Sequence, residues 1–223
     1  MSENQRMEFI ARLMTKTPWS KVGSGVLQLV IHEIDRVIPE FLQFLNNGGR
    51  CVPLPAAPVI PLFEVVNDTT IRVNLDHPGT LPFTNAKTGW VWGKSSGWMT
   101  VERKDEVLYI DGLPATFYLC EEQKEGVING KNLKPKMKAK IGYHPNIGEA
   151  LQQNPHLIPE SYKTDEEGHT RYIFFWAKGF LGEDGHEYVR CLYCEDGQWY
   201  WGCYWLGCDW DVRGPALVPA SQP

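Results

Sequence analysis

The feature that most constrains this chain is a stretch in which apolar and aromatic residues alternate on either side of one Asp-Gly pair. Residues 187–220 read EYVRCLYCEDGQWYWGCYWLGCDWDVRGPALVPA. Alternation with a period of two is the mark of a strand with two different faces. Asp-Gly between two such runs is the strongest short-range signal of a hairpin. The spacing therefore predicts strands over 187–194 and 199–206, joined by a turn at 195–198. A strand over 170–177 precedes them to make a β-meander, and a last apolar stretch at 216–220 is available to close the sheet. This stretch holds four of the six cysteines and four of the nine tryptophans. Here Trp is as common as Tyr or Phe, at nine each.

Upstream, the same period predicts short strands at 63–66, 70–75, 89–92, 98–101, 107–110 and 116–119. Asn67-Asp68, His77-Pro78-Gly79, Ser95-Ser96-Gly97 and Asp111-Gly112 punctuate them as turns. Residues 146–153 read as a short helix closed by Asn154-Pro155, and 156–169 as an irregular connection. The segment 121–140, polar and with five lysines among its last ten residues, reads as a solvated loop.

The N-terminal region has a different period. Met7, Phe9, Ile10, Leu13 and Met14 form a short helical stripe. From Leu27 to Leu45 apolar positions recur every three or four residues, which predicts an amphipathic helix over 26–45. Pro39 is its expected kink and 46–49 its stop. That helix is available for packing within the chain or for forming a homo-oligomer. GGRCVPLPAAPVIP (48–61) reads as an extended linker. The expected organisation is a helical segment at 1–47, a Pro-rich linker at 48–62 and an α+β domain at 63–223 with an antiparallel sheet.

A net charge of −5 argues against general binding to phosphate backbones, which needs a basic face. No apolar run approaches the roughly 20 residues of a membrane-spanning helix. MSENQRMEF lacks the apolar core of a signal peptide. The default compartment is therefore cytoplasmic and reducing, and the cysteines are read as thiols.

Chemistry-bearing motifs are sparse. Gly93-Lys94-Ser95-Ser96-Gly97 matches G-x-S-x-G in letters but joins two expected strands, so it reads as a hairpin turn and not a nucleophile elbow. His32, His77, His144, His156, His169 and His186 form no metal or nucleophile signature. Paired carboxylates suited to acid–base work are absent, as is a glycine-rich phosphate loop after a strand. These readings point away from an enzyme and from a bound cofactor. Cys191-x2-Cys194 with Cys203-x4-Cys208 offers four thiolates for structural zinc, the alternative being a zinc-stabilised interaction module. Strand alternation opposes it, because it sends Cys191 and Cys194 to opposite sides of a sheet. A carbohydrate-binding module using exposed Trp and Tyr is a further alternative. Asp209 and Asp211 are too few for a calcium cage.

Five stretches of this chain resemble the variable proteins of diversity-generating retroelements, particularly those of candidate-phylum bacteria. They are GWMTVERKDEVLYIDG (97–112), NIGEALQQNPHLIPESYK (146–163), RYIFFWAKG (171–179), YVRCLYCEDGQWYW (188–201) and WLGCDWDVRGPALVPA (205–220). The chain departs from the family at Trp176-Ala177-Lys178-Gly179, where a Trp-Gly-Thr-like run is expected. The resemblance implies a C-type-lectin-like fold whose C-terminal segment displays residues altered by error-prone reverse transcription at adenines. Codons altered in this way end in C or T and cannot encode Trp, Met, Gln, Lys or Glu. Met, Gln, Lys and Glu are absent from 199–218. Trp199, Trp201, Trp205 and Trp210 would then be fixed anchors. The expected binding surface is Tyr200, Gly202, Cys203, Tyr204, Gly207, Cys208, Asp209, Asp211, Val212, Arg213 and Gly214, and the expected ligand a protein.

Overall fold

The computed structural model describes residues 60–220, which belong to one unit, Ile60–Pro223. The expected helices within 1–47, with the self-association assigned to 26–45, lie outside the described residues, as does linker segment 48–59. The described unit is α+β and dominated by one antiparallel-rich sheet.

A first meander contains β1 (Phe63–Asn67), β2 (Thr70–Asn74), β4 (Trp98–Lys104), β5 (Val107–Ile110) and β6 (Leu113–Tyr118). A second contains β8 (Ile173–Leu181), β9 (Glu187–Glu195) and β10 (Gln198–Trp205). The closing strand, β12 (Ala216–Pro219), lies between the meanders, antiparallel to β6 and parallel to β8 where Ala216 meets Phe174. The chain's end thus joins the two meanders. β3 (Lys87–Val91) adds to the other end of β8. Asp111-Gly112 and Asp196-Gly197 make the expected tight turns, with positive φ at Asp111 and Gly112 (50° and 78°) and at Asp196 and Gly197 (50° and 77°). Two successive positive φ values match the right-handed twist of the strands they join.

Two expectations are corrected. Residues 93–97 do not form a hairpin turn, because β3 pairs with β8 while β4 pairs with β2 and β5. They are a crossover between distant parts of the sheet, fixed by Lys94 Nζ donating to Trp98 O (3.0 Å) and Asp111 Oδ2 (2.6 Å). Nor is 121–140 a solvated loop. It folds into α1 (Glu121–Glu125), the two-residue strand β7 (Ile128–Asn129) and α2 (Gly130–Lys140). Helix α2 buries only Gly130, Leu133 and Met137, one narrow stripe at helical spacing, and leaves Lys131, Lys136, Lys138 and Lys140 exposed, while the half-buried Lys134 pairs with Glu187 (2.6 Å).

The second meander separates two cores, and the alternation in β8 shows how. Ile173 and Phe175 enter one cluster, while Phe174 and Trp176 enter the other. The first face is covered by α3 (Pro145–Gln153) and residues of β2, β4 and β5. Helix α3 lies close because residue 148 is glycine. A Cβ there would come 2.5 Å from Phe175 Cε2 and 2.6 Å from Trp201 Cζ3. The second face is covered by α2 (Leu133, Met137), by β7 (Ile128) and by Trp210 of β11 (Asp209–Trp210), which pairs with β7.

Candidate functional site

Among the described residues, strand β10 pairs with β9 on one side only and forms the end of the sheet. Alternation divides its residues. Trp199, Trp201, Cys203 and Trp205 face the α3 side, opposite Cys194, Leu192, Arg190 and Tyr188 of β9. Trp199 is 9% exposed. Trp201, half-buried, meets Phe175 edge-on at 5.5 Å and lies 4.5 Å beneath the buried Arg190 guanidinium. Trp205 packs on the ring of His186 at 4.6 Å. Tyr200, Gly202 and Tyr204 lie on the other side, where Tyr200 and Tyr204 are 40% and 41% exposed.

Burial of Arg190 in the sheet lowers its pKa, and the neighbouring Cys203, Glu149 and Cys191 oppose that shift. Burial likewise raises the Cys203 thiol, and the Arg190 charge only partly offsets it. Cys203 is thus held as a neutral thiol and not as a reactive thiolate.

The segment after β10 turns back across the second face and forms a cleft of about 240 Å³. Tyr172, Phe174, Tyr204, Trp210 and Gly214 supply its apolar and aromatic walls, and Asp209, Asp211 and Arg213 its charged groups. Groups outside the segment hold its backbone. The buried Gln123 side chain donates from Nε2 to Asp211 O and Gly214 O, both at 3.1 Å. Asn129 Nδ2 donates to Gly207 O (2.9 Å), and Gly130 N to Cys208 O (3.1 Å). On the opposite flank Tyr172 N donates to Arg213 O (2.7 Å) and Phe174 N to Pro215 O (3.0 Å). Within the segment, Asp211 Oδ1 accepts from Arg213 N (3.0 Å), and its Oδ2 accepts from Arg213 Nε (2.9 Å) and from the guanidinium terminus (2.7 Å). Burial alone would raise the Asp211 carboxyl, but the Arg213 hydrogen bonds and charge outweigh it and hold it below its ordinary range.

The expected surface residues distribute as follows. Tyr200, Tyr204, Asp209, Val212 and Arg213 are exposed, and Gly202, Cys203, Gly207, Cys208 and Asp211 are half-buried. Gly214 is buried and forms part of the cleft wall. Cys203 points toward α3 with the tryptophans, away from the cleft. Both are corrections: Gly214 contributes backbone, and Cys203 sits on the opposite side of the strand. Trp210, 2% exposed, is an anchor as expected and also lines the cleft. Tyr172, Phe174 and Gln123 were not legible as site residues. The alternation in 171–175 puts Phe174 opposite the Phe175 side, which was the available signal. Gln123 carried none.

The zinc alternative is corrected too. Cys191 belongs to the core on the α2 side and Cys194 to the core on the α3 side, as alternation requires. Among the described residues, no group of three or more His, Cys, Asp or Glu side chains is placed to hold a metal ion. Cys120, Cys191, Cys194, Cys203 and Cys208 are all free thiols. Among the described residues no helix is long and apolar enough to cross a membrane. No protein-family model matches the chain, and neither a curated protein nor a solved structure matches it.

Proposed function

We propose that this chain is a non-catalytic binding protein, a retroelement variable protein whose C-type-lectin-like domain displays a diversified surface on β10 and the segment that follows it. One observation carries the reading: the backbone of 207–215 is held largely by groups other than its own exposed side chains. Gln123, Asn129, Gly130, Tyr172 and Phe174 make the holding hydrogen bonds, so the side chains of Asp209, Val212 and Arg213 can change while the loop keeps its course. Positions with this property tolerate substitution, because the contacts that stabilise the fold lie elsewhere. Tyr200 and Tyr204 supply large contact area at small entropic cost. The Asp211 carboxylate, held low by Arg213, is ionised at neutral pH and has no proton to donate as an acid.

A second reading, a carbohydrate-binding module, is favoured by the row Tyr172, Tyr193, Tyr200, with centroids 5.1 Å and 5.5 Å apart. Each ring of that row already covers part of its neighbour, which leaves less free face for a sugar.

Display of a library varied at 200, 204, 209, 212 and 213, with selection against a panel of proteins and glycans, tests the proposal. Protein binders that lose affinity when the five varied positions are returned to the original residues, with the fold intact, support it. A library that yields only unfolded chains overturns it. The DNA beside the gene gives an independent test: a near-identical repeat differing at adenines, next to a reverse transcriptase gene, is the expected finding.

A further inference from the structure

The cleft has a chemistry more specific than a generic contact surface. Phe174 and Trp210 lie 4.2 Å apart with their planes at 51°, Tyr204 and Trp210 5.1 Å apart at 82°, and Phe174 and Tyr204 6.1 Å apart at 59°. Rings inclined in this way do not offer the single flat platform on which a sugar or base stacks. Phe174 and Trp210 are 3% and 2% exposed, so the aromatic surface that the cleft leaves open is mainly that of Tyr172 and Tyr204, 38% and 41% exposed. The negative face of an aromatic ring attracts cations.

The charges point the same way. Asp209, Asp211 and Arg213 sum to two negatives and one positive, a net of −1 at the cleft. Asp211 is already engaged by Arg213, through Nε and the guanidinium terminus. The Asp209 carboxylate is exposed and forms no ion pair among the described residues, whose nine Lys or Arg ion pairs and three His–carboxylate contacts all involve other carboxylates. Arg213, neutralised by its partner, is poorly placed to attract an anion. The volume of about 240 Å³ falls below the roughly 300–1,000 Å³ of sites that enclose a whole small molecule. It suits one inserted side chain.

We infer that the cleft receives a basic side chain of the protein target, arginine in preference to lysine. This rests on the proposal that the surrounding surface binds a protein, and it names the anchor. Arginine is favoured because its guanidinium is weakly hydrated, stacks on aromatic faces and forks onto a carboxylate, here Asp209. Lysine offers only a compact, strongly hydrated charge.

The test is an NMR titration of the full chain, following the Trp210 indole, with N-acetylarginine amide, N-acetyllysine amide and N-acetylcitrulline amide, the last a neutral isostere of arginine. The expected order of affinity is arginine, lysine, citrulline, with arginine roughly tenfold tighter than citrulline. Asp209→Asn should weaken arginine binding about fivefold and bring it close to citrulline. Tyr204→Leu, which keeps apolar bulk but removes the ring, should lessen the preference as well. Citrulline binding as tightly as arginine, no saturable shift with arginine, or an Asp209→Asn affinity equal to that of the unaltered chain would each overturn the inference. Failure here, with library-selected protein binders in hand, rejects the arginine anchor alone. Failure of the library itself rejects the underlying binding proposal.

Discussion

The two sides of the β8–β9–β10 sheet are built from the same alternating strands and are covered differently. On one side α3 lies so close that glycine is required at 148, and Phe175, Leu192, Cys194 and Trp199 are sealed beneath it. On the other, α2, β7 and β11 cover the part over β8 and β9 and stop short of the margin of β10, where Tyr200 and Tyr204 stay exposed. Large aromatic residues therefore do two jobs within one strand, set by parity alone. Where both faces of a sheet are buried, every position is constrained by packing. Leaving one margin uncovered frees alternate residues without loosening their neighbours.

The sharpest way to break this contrast is on the sealed side. Gly148→Val should destabilise the fold by about 3 kcal/mol or more, because added carbons must displace Phe175 or Trp201 in a close-packed layer. Urea unfolding measures this, and a loss below 1 kcal/mol would mean that α3 is loosely seated.

His144 tests the same layer by pH. It caps α3, its Nδ1 accepting from Asn146 N at 3.2 Å, and it is buried. Burial, helped by the Lys178 charge and opposed by Asp76, lowers its pKa to about 4. The unfolded chain takes up this proton near pH 6.5, while the folded chain does so only near pH 4. Between these values the unfolded state binds more protons, so stability is complete above about pH 6.5 and falls as the pH drops toward 4. The expected loss is on the order of 2–3 kcal/mol. His144→Asn, which keeps a capping acceptor, should flatten this part of a stability–pH curve.

On the open side, Gln123→Ala should cost about 1–3 kcal/mol, since it leaves the Asp211 and Gly214 carbonyls without their donor. Its distinctive sign is faster hydrogen exchange at residues 211–214, with the α3 side unaffected.

Much of this contrast was legible in the sequence, and the missing parts share a cause. The strands of both meanders follow from period two and the Asp-Gly turns, because each signal lies within a few residues of what it specifies. Parity in 199–205 likewise separated Trp199 from Tyr200. What could not be read depends on partners far along the chain. Leu133 and Met137 look like two isolated apolar residues among lysines until Trp176 and Trp210 supply the surface they cover. The pairing of β7 with β11 involves two residues on each side, too few for any period to register. The crossover at 93–97 resembled a hairpin because nothing local shows that β3 pairs with β8. The cleft itself needed Tyr172 and Phe174 brought beside Tyr204, and Gln123 placed beneath the loop.

The smallest expected effect gives the most direct test of the central claim. A single chain carrying Tyr200→Ser, Tyr204→Ser, Asp209→Ala, Val212→Ala and Arg213→Ser should unfold in urea within about 1 kcal/mol of the original, whereas Trp210→Ala alone should lose roughly 3–5 kcal/mol. If the five exposed changes together unfold the domain as far as the one tryptophan does, these side chains belong to the fold, and the separation of scaffold from exchangeable surface is wrong.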